Sequence, residues 1–285
     1  MHRVLVDRIQ LEPDGGPLDS WHPALLPDNR RIGRVPAPLK VPLCPGWHFR
    51  LHKTTMQSEK ITGEAFAPRE RRYDDACGTA LALEFIGERW SLLIMRELVF
   101  GPRRFGEIRA NLPGISANVL TQRLVSLEEA GIVLRYQLPS PANVQVYDLT
   151  EWGRETAPLM RDLGRWAARS PRHDPRLFMS AASAMMSLQA LVDRTRAAEL
   201  SVSVAFHFPG EDFVATVAGG EIVVRRGVME APDLAFTGDT MAMRRTIYGK
   251  APLAQDGAGG TLAFAGEADL VRSFVDLFAL PAKTR

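Results

Sequence analysis

Between Cys77 and Ala168 the apolar positions of the chain repeat at helical spacing, pass through a short stretch of strand spacing, and return to helical spacing. Leu120, Leu124 and Leu127 recur at i, i+4 and i+7, one buried stripe of a helix that Ser116 is placed to cap with its hydroxyl. At about 100° per residue, Asn118, Gln122 and Ser126 fall on the opposite face, with Thr121 at its edge. Two apolar-faced helices precede this one, followed by the basic turn Gly101-Pro102-Arg103-Arg104, a short helix over Phe105 to Ala110, and the Pro113-Gly114 break. After it, Ile132, Val133 and Leu134 stand against Val144, Val146 and Tyr147, separated by Pro139-Ser140-Pro141. This predicts a two-stranded ribbon over Gly131 to Leu138 and Val144 to Leu149. A long helix from Thr150 to Ala168, carrying Trp152, Leu159, Leu163 and Trp166, closes the unit.

That order of elements is a winged helix-turn-helix. The first two turns of the helix after Ser116 present amide and hydroxyl groups, and no acid appears before Glu128 and Glu129 at its far end. Such a face can enter a major groove without like-charge repulsion. Asn and Gln pair bidentately with adenine, and Ser or Thr serves as donor or acceptor. Arg103, Arg104, Arg109, Arg123 and the wing residue Arg135 are candidates for phosphate contacts, which supply affinity and salt dependence. Total charge decides nothing. The chain carries +2 overall, and residues 69–170 hold fourteen arginines against thirteen carboxylates, a balance of +1. Any cationic surface is therefore a local patch, and Arg103-Arg104 is its expected centre.

The run from Cys77 resembles the HxlR-type family of bacterial transcriptional regulators. The blocks that carry the likeness are Cys77, Gly87-Glu88-Arg89-Trp90, Leu98 to Phe105, Leu112-Pro113-Gly114-Ile115-Ser116, Leu120 with Arg123-Leu124, Leu127 to Gly131, and Tyr147-Asp148-Leu149-Thr150. The resemblance implies a homodimer paired through its first and last helices. The two recognition helices would then read successive major grooves of a palindromic operator on double-stranded DNA. It places the DNA-facing positions at Ser116, Asn118, Thr121, Gln122 and Arg123, together with the turn arginines. It also marks Cys77 as a candidate redox-sensing thiol, a buried structural thiol being the default reading. The helix start at Cys77 lowers a thiol pKa while the neighbouring Asp74 and Asp75 raise it, so the two influences oppose.

At 285 residues the chain is long enough for two separate cores. Residues 1–68 hold nine of the twenty prolines and read as an extended or disordered extension, with Met56 a possible true start. Residues 69–170 form the winged module, and after the polar joint Ser170 to Pro175 a third region spans 175–285. There a helix is expected from Arg176 to about Leu200. Val202, Val204, Phe206 and Phe208 then alternate with Ser203, Ala205 and His207 as a half-buried strand. Gly219-Gly220 marks a hairpin. A strand at Leu234 and Phe236 leads to Gly238-Asp239 and a helix through Tyr248. Leu262 to Phe264 and a helix over Glu267 to Leu280 follow. The expected fold class is thus α+β, a winged helix-turn-helix followed by an α+β domain whose sheet is covered by helices.

The run from Pro232 to Leu280 is similar to the sterol carrier protein type-2-like family, on its strand-Gly-Asp-helix step, the loop Lys250 to Gly260 and its strand-Gly-Glu-Ala-Asp-Leu step. That likeness implies a hydrophobic small-molecule ligand between sheet and helices. Met185, Met186, Met241 and Met243, with Phe206, Phe264, Phe274 and Phe278, are the candidate lining, although the same residues can equally form a packed core. Two cysteines, Cys44 and Cys77, have no spacing for zinc or a disulfide framework. No apolar run is long enough to span a membrane, and the N-terminus lacks a signal-peptide core. The sequence shows no metal cluster, nucleophile–base pair or phosphate loop; Gly257-Ala-Gly-Gly260 lacks the Lys that would follow.

The expectation is therefore a cytoplasmic, non-enzymatic repressor without cofactor, controlled by an apolar ligand. Three alternatives remain: a lipid-binding protein whose helix-turn-helix only dimerises, an acyl-transferase-like enzyme on the C-terminal fold, and a regulator whose C-terminal domain holds no ligand.

Overall fold

The computed structural model describes residues 73–253 and 262–284. The Pro-rich extension, Met56, Cys44 and the Gly257–Gly260 run lie outside the described residues.

The first part of the fold follows the predicted order: α1 (Gly78–Ile86), α2 (Ser91–Leu98), α3 (Phe105–Ala110), α4 (Ala117–Glu129), β1 (Val133–Gln137) and β2 (Gln145–Leu149). The ribbon is antiparallel, with Val133 opposite Leu149 and Gln137 opposite Gln145. Ile94, Met95 and Leu98 of α2 share one buried cluster with Ile108 of α3, Leu120, Leu124 and Leu127 of α4, and Val133 and Leu149 of the ribbon. Helix α2 is the hub, touching α4, α6, α7 and β2.

The single long helix expected over Thr150 to Ala168 is two helices, α5 (Glu151–Arg154) and α6 (Ala157–Ala168). Pro158 explains the break. It stands in the first turn of α6 and has no N–H to offer the carbonyl of Arg154. Helix α5 is capped by Thr150, whose hydroxyl accepts from Gly153 N–H at 3.0 Å and donates to the Gly131 carbonyl at 2.8 Å. It lies so close to the ribbon that a Cβ at Gly153 would stand 2.2 Å from the Ile132 carbonyl oxygen.

The helix expected from Arg176 to Leu200 also divides, into α7 (Ala181–Leu191) and α8 (Arg194–Ala197). Ser180 starts α7 by accepting from Ser183 N–H at 3.1 Å, and Asp193 starts α8 by accepting from Thr195 N–H at 3.0 Å. Between them Val192 is extended (φ −64°, ψ 133°), as is the cap Asp193 itself (φ −76°, ψ 101°), so the helix cannot run through.

The strands β3 (Val202–Phe208), β4 (Glu211–Ala218), β5 (Glu221–Arg226), β6 (Leu234–Thr237) and β7 (Ala263–Ala265) form one sheet in the order β5-β4-β3-β6-β7. Only β3 and β6 pair in parallel. Gly219 and Gly220 both have positive φ (58° and 83°), the two-residue hairpin turn that glycine makes without steric cost. Helices α9 (Thr240–Ile247) and α10 (Ala268–Val275) complete the fold. Asp239 caps α9, accepting from Ala242 N–H at 2.7 Å.

The interior between sheet and helices is a phenylalanine stack. Phe206 lies 5.4 Å from Phe236 and 6.1 Å from Phe274, ring centre to ring centre, and Phe274 lies 5.1 Å from Phe278. Winged module and C-terminal sheet are fused rather than tethered. Met186 of α7 packs into the winged module's cluster, and Phe100 packs against both cores. The C-terminal tail straps the Ser170 joint, with Lys283 Nζ donating to the Ala168 carbonyl at 2.9 Å and Thr284 N–H to the Arg169 carbonyl at 2.8 Å.

Candidate nucleic-acid interface

Helix α4 presents the face that its sequence periodicity predicts. Ser116 accepts from Val119 N–H at 3.3 Å and sets the helix start, Leu120, Leu124 and Leu127 are buried, and Asn118, Thr121 and Gln122 are exposed on the other side. Replacing Ser116 with Ala removes one first-turn acceptor and is expected to cost about 1 kcal/mol of stability, read by urea denaturation. A change below a few tenths of a kcal/mol would show that water replaces the cap.

The arginines divide into three groups. Arg104 and Arg109 are exposed beside α3. Arg135 on the wing is half exposed and pairs with Glu128 at 3.3 Å, a surface pair weak enough for a phosphate to displace. Arg123 is held at 2.9 Å by Glu88, part of the Gly87-Glu88-Arg89-Trp90 connection between α1 and α2. In that connection Trp90 takes a left-handed backbone (φ 83°).

Arg103 differs from the expectation of a solvent-facing pair with Arg104. It is 7% exposed and turned inward. Its backbone pairs with Tyr147, with N–H···O distances of 2.8 Å in both directions. Its guanidinium forms an ion pair with Glu211 at the start of β4. The centre of the cationic turn is therefore Arg104. Glu211 in turn meets Arg226 at 3.3 Å and accepts from Asn111 Nδ2 at 3.2 Å. Arg226 Nη1 donates to the Phe100 carbonyl at 3.2 Å. Burial, reinforced by the nearby Arg103 charge, pulls the Arg226 pKa below the ordinary guanidinium value, and Glu211 opposes this. A second buried contact joins the same two parts: Glu97 of α2, fully buried, accepts from Ser180 Oγ at 2.7 Å and pairs with Arg96 at 2.8 Å. These junction residues escape sequence reasoning because they lie far apart in the chain and follow no periodicity.

Cys77 is exposed at the start of α1. The backbone N–H groups of Thr79 and Ala80 hold its thiol below the usual range, opposed only by slight desolvation. Asp75 instead accepts from the Cys77 N–H at 2.9 Å.

The eight residues expected to line a ligand site fall in different surroundings. Met185, Phe206, Met243, Phe274 and Phe278 belong to the core cluster between sheet and helices, each at most 1% exposed. Phe264 packs against that core, and Met241 is half-buried with its sulfur 3.6 Å from Arg244 Nη2. Met186 borders a cavity. That cavity, about 550 Å³, lies at the junction of the winged module and the sheet domain, between α2, α6 and α7. Among the described residues no cluster of His, Cys, Asp and Glu is placed to hold a metal ion, and no helix is long and apolar enough to cross a membrane.

Comparison with known proteins matches residues 85–174 to the HxlR-like helix-turn-helix family. YvaP of Bacillus subtilis, an HTH-type transcriptional regulator, is 39% identical over 87 residues, spanning 30% of this chain and 80% of that protein. YodB of the same organism, also an HTH-type transcriptional regulator, is 38% identical over 86 residues, spanning 30% and 77%. Mb3122 of Mycobacterium bovis is 45% identical over 85 residues, and the match spans 30% of this chain and about half (53%) of that protein. The reduced form of YodB is 34% identical to this chain, covering 35% of it and 100% of the solved chain with a TM-score of 0.32. The chain belongs to the HxlR-like helix-turn-helix family.

Proposed function

We propose that this protein is a DNA-binding transcriptional regulator that acts as a homodimeric repressor on a palindromic operator, its affinity set by an apolar small molecule. The observation that carries the reading is the face of α4: capped, acid-free in its first two turns, with Asn118, Thr121 and Gln122 exposed, and with Arg104 and Arg109 exposed on the segment that precedes it in the chain. Asn118 and Gln122 read base edges, Ser116 and Thr121 support them, and Arg104, Arg109 and Arg135 contact phosphates, with Arg123 positioned by Glu88. Dimerisation is supported by large apolar side chains left exposed on α1 (Leu81, Leu83) and α6 (Leu159, Leu163 and Trp166), the last 73% exposed. In this reading the protein is cytoplasmic and carries out no catalysis. The five-stranded sheet, with its β6-Gly238-Asp239-α9 and β7-Gly266-Glu267-α10 steps, supports a sterol carrier protein type-2-like assignment for the C-terminal domain.

The test is fluorescence anisotropy on duplexes selected from a random pool, over a salt series. Gln122→Ala is expected to remove about 1–3 kcal/mol of discrimination between selected and scrambled duplex, roughly 5- to 150-fold. Arg104→Ala weakens binding to both alike and lowers the salt slope by about 1. Failure to enrich any sequence, or a Gln122→Ala protein with undiminished preference, overturns the reading.

A further inference from the structure

The junction cavity belongs to neither domain alone. Leu92 and Leu93 of α2 and Met160 and Leu163 of α6 face Met186 and Ala190 of α7 across it. Its volume, about 550 Å³, lies within the range of small-molecule sites, and most of the side chains that line it are apolar.

Its charge is one-sided. Four arginines border it (Arg96, Arg161, Arg165 and Arg244), and no carboxylate does. Three of the four are already committed. Arg96 pairs with Glu97 at 2.8 Å, and Arg165 donates to the Ala190 carbonyl at 2.7 Å with Asp162 at 3.5 Å. Arg244, buried, donates to the carbonyls of Pro175 and Leu177 at 2.5 and 2.7 Å. Arg161 of α6 has no hydrogen-bond or ion-pair partner among the described residues. The hydroxyl of Tyr248 is engaged with Ser187 at 2.7 Å, and Ser187 donates onward to the Ala184 carbonyl at 2.7 Å. The anchoring group on offer is therefore a guanidinium.

We propose that this cavity binds a small apolar monocarboxylate, its carboxylate paired with Arg161 and its hydrocarbon body against Leu92, Met160, Leu163 and Met186. The regulatory consequence rests on the regulator reading; the binding site does not. One wall is α2, whose opposite side packs Ile94 and Leu98 into the same cluster as Leu120 and Leu124 of the recognition helix. Another wall is α6, which carries the exposed Leu159 and Trp166. A ligand seated here touches the support of the recognition helix and the dimer-facing helix together. Its preference between the arrangements of those helices sets operator affinity.

The full chain is titrated calorimetrically with decanoate and with decanol, alongside two variants. Wild type is expected to bind decanoate about tenfold tighter than decanol, the discrimination of a charge-assisted contact. Arg161→Met should bring the two affinities together. Gly164 also borders the cavity, and a Cβ there meets no atom within 4 Å, so Gly164→Leu fills the space without a backbone clash. That variant should lose both ligands while its melting temperature holds or rises, since glycine is a poor residue in a helix. Decanoate affinity unchanged in Gly164→Leu, equal affinities in wild type, or no binding by wild type overturns the proposal. DNA binding measured in parallel separates the two readings. Decanoate binding without any sequence preference sinks the regulator and leaves the site. Sequence preference without decanoate binding does the reverse.

Discussion

Glu211→Ala is expected to destabilise the protein by about 3–5 kcal/mol, because it strips the partner from buried guanidinium groups. Glu211 is the carboxylate between Arg103 and Arg226, and its side chain is 12% exposed against 8% and 20% for the two arginines. With it gone, two positive charges share a buried site, and Glu107, 3.8 Å from Arg103 Nη1 and more exposed, is too distant and too wet to replace it. For a folded unit of roughly 200 residues, each kcal/mol moves the melting temperature by about 2–4 °C, so a drop on the order of 10 °C should appear in thermal denaturation. The triple variant Arg103→Met/Glu211→Leu/Arg226→Met, which removes both guanidinium groups that Glu211 serves, should recover much of the loss, since apolar side chains of similar volume carry no desolvation cost. A Glu211→Ala protein within about 1 kcal/mol of wild type would mean that water enters the junction and screens the cluster.

Phe206→Ala should cost about 3–5 kcal/mol, the range for emptying a packed aromatic site. Phe206 is fully buried and lies 6.1 Å from Phe208, 5.4 Å from Phe236 and 6.1 Å from Phe274. Its removal opens a void between sheet and helices that neighbours in a five-stranded sheet cannot close. The same variant should keep decanoate affinity within about twofold, because the junction cavity is lined from α2, α6 and α7 rather than from β3. A variant that stays stable and loses the ligand would restore the aromatic residues as a binding pocket.

Both results bear on what could be read from residues alone. The elements of the winged module were legible because each is written locally. Leu120, Leu124 and Leu127 repeat at helical spacing, Ser116 supplies a cap, and Pro139 to Pro141 interrupts a ribbon of β-branched residues. The hairpin at Gly219-Gly220 and the capped start of α9 at Asp239 are equally local. Helix lengths were less legible. Pro158 and Asp193 both stand in stretches of good helical periodicity, and their backbone effects cut the helices where hydrophobic spacing runs on.

The sequence by itself determined the order of elements, the face of α4 turned away from the core, and the fold class, since these depend on spacing, capping and chain stiffness within a few residues. Only the tertiary structure decided that Arg103 is buried against Glu211, 108 positions further along the chain, while Arg104 next to it is exposed. It also decided that Phe206, Phe236, Phe274 and Phe278 stack in one core and that a cavity lies at the junction. A residue type records that a side chain is apolar or charged. Whether it is packed, paired or left facing a void depends on partners that the fold brings from distant segments.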